Sequence, residues 1–100
     1  RAFYNRCTPQ DQAHAANLLV EPVRPMGATL ELSEARYGRV PRHYIECADD
    51  KCVPIAEQRA MQQALPCASV TTLDSDHSPF FCAPEELAAA LIKIANWRER

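Results

Sequence analysis

The sequence predicts an α/β fold in which parallel strands alternate with helices, and three observations carry that prediction. Two short runs rich in β-formers, His43-Tyr44-Ile45-Glu46-Cys47 and Ser69-Val70-Thr71-Thr72-Leu73, are separated by a segment of helical length. After each run, a polar stretch leads to a proline placed where a helix starts, Pro54 and Pro84. The final segment sets Leu87, Leu91, Ile94 and Trp97 on one face at helical spacing. Strand, helix, strand, helix is the unit of a parallel sheet with right-handed crossovers.

The elements follow in order. Thr8-Pro9-Gln10-Asp11 is a helix start: Thr8 as N-cap, Pro9 at the first helical position, and Asp11 where the helix dipole favours negative charge. That helix is expected to reach about Leu19 or Val20, with Ala15, Ala16, Leu18 and Leu19 on its apolar side and Phe3 and Tyr4 packed back as a staple. Pro22 and Pro25 end it. Glu21 to Gly38 reads as loop, with turns at Pro25-Met26-Gly27 and Tyr37-Gly38, a short extended piece at Leu30 and Leu32, and one helical turn at Ser33–Arg36. The strand His43–Cys47 precedes the turn Asp49-Asp50-Lys51. A helix then runs from Pro54 to about Leu65 with Ile55, Met61, Ala64 and Leu65 as an imperfect apolar stripe, stopped by Pro66. The strand Ser69–Leu73 leads into a loop, Asp74–Pro79. The last helix opens at Ala83-Pro84-Glu85-Glu86 and ends near Trp97.

Composition bounds the function. The chain has 100 residues, is 47% hydrophobic and carries a formal net charge of −2, which suits one small globular domain. The near-balance of charge gives no electrostatic case for nucleic acid or an anionic membrane. No run approaches the roughly 20 apolar residues of a membrane helix. Arg1-Ala2-Phe3-Tyr4-Asn5 has no apolar core of a signal peptide, and the absence of an initial Met suggests an internal cut. The five cysteines, Cys7, Cys47, Cys52, Cys67 and Cys82, are an odd set without Cys-x-x-Cys pairs, so free thiols in a reducing, cytoplasmic compartment are expected. Neither a metal nor a cofactor is expected, because no ligands show the close pairing of a structural zinc site. His14 and His43 read as surface or hydrogen-bonded histidines.

A two-stranded parallel pair covers too little for the apolar face of the last helix. Further strands are therefore expected, from a missing N-terminal segment or from a second chain. A lone fragment with open strand edges is expected to associate with itself.

The chemistry lies in the loops beyond the strands, where open α/β sheets gather functional groups. Ser75-Asp76-His77-Ser78-Pro79-Phe80-Phe81 sets an imidazole after the second strand. Asp49 and Asp50 follow the first. A carboxylate accepting the Nδ1–H of His77 fixes its tautomer and leaves Nε2 to take a proton from a hydroxyl nucleophile. Asp50 is 27 residues before His77, room for one helix and one strand. Asp49 competes for the acid role, and an aspartate after a strand is also a routine helix cap. Asp76 adjoins the histidine and suits bonding to loop backbone N–H groups. Phe80 and Phe81 either wall a pocket beside His77 or pack beneath the loop. Cys82 is a candidate thiol nucleophile without an electropositive neighbour other than His77. A Gly-x-Ser-x-Gly elbow appears nowhere in these residues.

These landmarks resemble a known family. Phe3-Tyr4-Asn5-Arg6-Cys7-Thr8-Pro9-Gln10-Asp11, Arg36-Tyr37-Gly38-Arg39-Val40-Pro41-Arg42-His43-Tyr44-Ile45-Glu46-Cys47, Asp50-Lys51-Cys52-Val53-Pro54, Gln58-Arg59 and Asp76-His77-Ser78-Pro79-Phe80 look like the C-terminal part of α/β-hydrolases of the methylesterase and hydroxynitrile lyase group, in a form resembling its bacterial esterases. The similarity runs from about Phe3 to Ala95. It implies the C-terminal part of an α/β-hydrolase fold without its N-terminal half: residues 1–38 as the end of the cap and a connecting loop, residues 39–100 as the last strand–helix units of the core. By the resemblance, Asp50, directly before Lys51, is the triad acid and His77 the triad base. The nucleophilic serine and the oxyanion hole fall upstream. The implied activity is hydrolysis of small carboxylic esters by the complete enzyme, and none by this chain alone. A non-catalytic ligand-binding relative is the alternative. A hydroxynitrile lyase is disfavoured, because Ser78 stands where lyases of the group carry a lysine.

Overall fold

The computed structural model describes residues 2–19 and 27–98. Helix α1 spans Pro9–Leu18, strand β1 His43–Cys47, helix α2 Ile55–Ala64 and strand β2 Ser69–Leu73, followed by α3 at Pro79–Cys82 and α4 at Pro84–Ala95. The breaks expected at Pro22 and Pro25 and the turn at Pro25-Met26 lie outside the described residues.

β1 and β2 pair in parallel with His43 opposite Ser69 and Cys47 opposite Leu73, so both strands end at the same edge. The ladder runs one step further. Ala48 donates its N–H to Leu73 O (2.9 Å) and Asp49 to Ser75 O (3.0 Å), which fixes how the two following loops leave the sheet. This is the α/β unit expected from the alternation of β-rich and helical segments, two parallel strands with their helices.

Thr8 caps α1 as expected, its side-chain oxygen accepting the Asp11 N–H at 3.1 Å. Only Ala15 of that helix is buried, while Leu18 and Leu19 are exposed, so its apolar side is narrower than expected. Phe3 packs edge-on against His77. Leu30 and Leu32 form no strand. Ser33 to Gly38 is a hydrogen-bonded turn in place of one helical turn, Ser33 O accepting from Arg36 N and Gly38 N. Gly38 is required there by space: a Cβ would fall 2.7 Å from Glu34 Cα.

Two elements depart from the expected pattern for physical reasons. The inward residue of α2 is Gln58, with Met61 and Leu65 exposed. In α4, Ala90 is buried while Leu91 is 52% exposed, so the inward face runs Ala83, Leu87, Ala90, Ile94, Trp97. The small Ala90 faces inward and the bulkier Leu91 outward. Trp97 packs edge-on against His43, ring centroids 4.9 Å apart. His43 Nδ1 lies 2.6 Å from Ser69 Oγ across the strand pair. No helix among the described residues is long and apolar enough to cross a membrane.

Candidate active site

Cys47 and Leu73 stand opposite each other at the carboxyl edge of the sheet, and the loops leaving them carry Asp50 and His77. The loop after β1 turns on Asp50 itself. Its Oδ1 accepts the backbone N–H of Cys52 (2.8 Å) and of Val53 (2.9 Å), the turn chemistry that a short acidic side chain supplies. Its Oδ2 faces His77 Nδ1 at 2.9 Å. Asp50 is 7% exposed. Burial pushes its carboxyl up, yet the Val53 N–H, the His77 ring and the Cys52 N–H together hold it below the ordinary value. An ionised Asp50 can only accept, so Nδ1 is the donor of this contact, and in the neutral ring the lone pair lies on Nε2.

Asp49, the competing acid, points elsewhere. It bonds Lys51 Nζ at 3.1 Å and Arg6 Nη1 at 3.3 Å on the surface. Its backbone oxygen accepts Asn5 Nδ2 at 3.0 Å. Arg6 also reaches Asp74 at 3.1 Å, so the N-terminal segment is strapped across both loops.

Asp76 is fully buried and is the hub beneath His77. Oδ1 accepts the Ser78 N–H at 2.8 Å and the Cys82 thiol at 3.2 Å. Oδ2 accepts the Arg6 N–H at 2.8 Å and the Cys7 thiol at 3.4 Å. Burial raises its carboxyl, but these four donors, the Arg6 and Ser78 N–H groups foremost, bring it below the ordinary value. Burial and the bond to Asp76 push the Cys7 thiol up to about 12, and burial raises Cys82 as well. Both sulfurs are protonated donors at neutral pH, which leaves Cys82 a poor nucleophile.

The aromatic partner of His77 is Phe3, edge to face with centroids 4.9 Å apart, a neighbour that no sequence pattern announced. Phe81 packs against Tyr4 (5.7 Å) and Phe80 (5.1 Å), and Phe80 is 58% exposed. A groove lined by Phe3, Tyr4, Gln12, Ala16 and Leu19 opens beside this cluster. Gln58, a landmark of the resemblance to which the sequence assigns no role, is buried behind the Asp50 loop. Its Oε1 accepts the Cys47 N–H and its Nε2 donates to Cys47 O, both at 2.9 Å, and to Val53 O at 2.8 Å. Glu46 sits buried beside it, held below its ordinary range by Gln62 Nε2, Arg59 and Thr72.

A paired carboxylate and imidazole stand at the carboxyl ends of the parallel strands, and comparison with known proteins relates the chain to the α/β-hydrolases. The chain is 43% identical over 72 residues to methylesterase 7 of Arabidopsis thaliana, covering 71% of this chain and 28% of that protein. It is 42% identical over 64 residues to a pyrethroid hydrolase of Sphingobium wenxiniae, covering 63% of this chain and 23% of that one. Its fold superposes on the crystal structure of polyneuridine aldehyde esterase with a TM-score of 0.82 and 25% identity, over 94% of this chain and 38% of that chain. No family model matches. The chain is thus a relative of the esterases of the α/β-hydrolase superfamily, and it spans well under half the length of the relatives named.

Proposed function

We propose that this chain is part of a serine esterase hydrolysing small carboxylic esters, with Asp50 and His77 as the acid and base of a Ser-His-Asp triad. The observation that carries the reading is the 2.9 Å contact between His77 Nδ1 and the buried Asp50 carboxylate at the ends of paired parallel strands. In this mechanism Nε2 takes the proton of a serine hydroxyl as it attacks the ester carbonyl. The protonated ring, stabilised by Asp50, then gives that proton to the leaving alcohol. Water repeats the sequence on the acyl-enzyme, with His77 as base and then acid. The serine and the oxyanion donors belong to sequence outside these residues, in the same polypeptide or a second chain. Residues 1–38 would be the end of a cap and a connecting loop, and residues 39–100 the end of the core. Phe80 and Phe81, with Phe3, would border the ester on the cap side.

Ser78 favours hydrolysis over cyanohydrin cleavage, because it offers no cation beside the triad. The test is p-nitrophenyl acetate hydrolysis by the complete protein. His77→Ala is expected to lower kcat by about 10³-fold or more. Hydrolysis retained in that variant overturns the role of His77, and robust cyanide release from mandelonitrile replaces the esterase by a lyase.

A further inference from the structure

We propose that Cys7, Asp76 and Cys82 form a binding site for a thiophilic divalent cation of the zinc and cadmium class, one layer beneath His77 and separate from the Asp50 pair. Three segments distant in sequence bring these groups together: the turn before α1, the loop after β2, and α3. Their two sulfurs and a carboxylate oxygen lie within 4.8 Å of one another. The Cys7 sulfur lies 3.4 Å from Oδ2 of Asp76 and the Cys82 sulfur 3.2 Å from Oδ1, so the two thiols face different oxygens of one carboxylate. A tetrahedral zinc ion with ordinary Zn–S and Zn–O bonds needs about 3.5 Å between sulfur and oxygen and about 3.8 Å between sulfurs. With one oxygen as ligand, the sulfur that now faces the other oxygen swings toward it, within the 4.8 Å that the three groups already span. Thiolates select this class of ion over magnesium or calcium.

The charge also fits. Binding breaks two S–H bonds, forms two S–metal bonds and releases two protons to solvent. The site holds one net negative charge before, on Asp76, and one after, since two thiolates balance the dication. The backbone N–H groups of Arg6 and Ser78 that already bond Asp76 keep that charge compensated and orient the carboxylate. Cys7 and Asp76 are buried, whereas Cys82 is partly exposed and gives the ion its way in. The three protein ligands leave one position for water or a small anion.

The experiment adds Co²⁺ to the reduced, metal-free complete protein and reads the sulfur-to-cobalt charge-transfer absorption. One cobalt per chain is expected, displaced by Zn²⁺. Cys7→Ser and Cys82→Ser are each expected to weaken binding at least tenfold, while Cys52→Ser and Cys67→Ser leave it unchanged. Serine still donates to Asp76, so the loop retains its bonds. Should either variant fail to fold, alkylation mapped by mass spectrometry in the unaltered protein decides: Zn²⁺ is expected to protect Cys7 and Cys82 selectively. Absence of the absorption band, a band that survives both substitutions, or alkylation indifferent to zinc overturns the site.

Discussion

Asp50 divides its two oxygens between backbone and ring, and that division has a consequence in acid. Its carboxyl lies below the ordinary value of 3.8 in the folded protein. The unfolded chain therefore binds this proton at a higher pH than the folded one. The stability it contributes is present above 3.8 and is lost as pH falls through the lower, folded value. Thermal melts of the complete protein from neutral pH to about 3 are expected to show the gap between wild type and Asp50→Asn closing on acidification. A gap that stays constant with pH removes the linkage. Which of the adjacent acids meets the histidine was not legible from pattern, because both follow β1. Backbone direction decides it, through the Asp49 N–H held by Ser75 and the Asp50 carboxylate turned in by Cys52 and Val53. Phe3 was equally hidden: it lies far along the chain from His77 and meets it only through the strap of Asn5 and Arg6.

At the scale of elements, β1 and β2 were readable to the residue, since short β-rich runs bounded by proline and polar turns leave little choice. Helix α3 was missed because four residues, Pro79–Cys82, are too few for periodicity to register. The inward face of α2 was misread because its anchor is polar. Gln58 accepts from and donates to one residue, Cys47, as a neighbouring strand would, so its carboxamide substitutes for a third strand at the end of β1. It also holds Val53, and with it the loop that presents Asp50. Gln58→Leu keeps the side chain's bulk but leaves these buried backbone groups without that partner, at an expected cost on the order of 2–3 kcal/mol. Denaturant unfolding of the complete protein measures it. A midpoint within error of wild type would show that the carboxamide bears no part of the β1–α2 junction.

At the scale of the whole molecule, the apolar surface outruns what two strands and their helices can cover. Val40, Val70, Leu91 and Ile92 are about half exposed or more, and Leu30 is 77% exposed. The radius of gyration is 15.4 Å, against about 13 Å for a compact domain of this length. Each strand has one edge unpaired by another strand among the described residues. In the related esterases the corresponding region is a minor part of a much longer chain. Placing these surfaces against the rest of such a fold would bury them and complete the sheet. A polypeptide of only these hundred residues has to satisfy both faces by other means. Hydrophobic dye binding and concentration-dependent association in sedimentation are therefore expected of it. Adding a serine-bearing N-terminal segment is expected to suppress both and, in the same step, to bring ester hydrolysis. Clean monomeric sedimentation of the isolated hundred residues, without dye binding, would mean that the exposed faces are stable in water and that the fold needs no such complement.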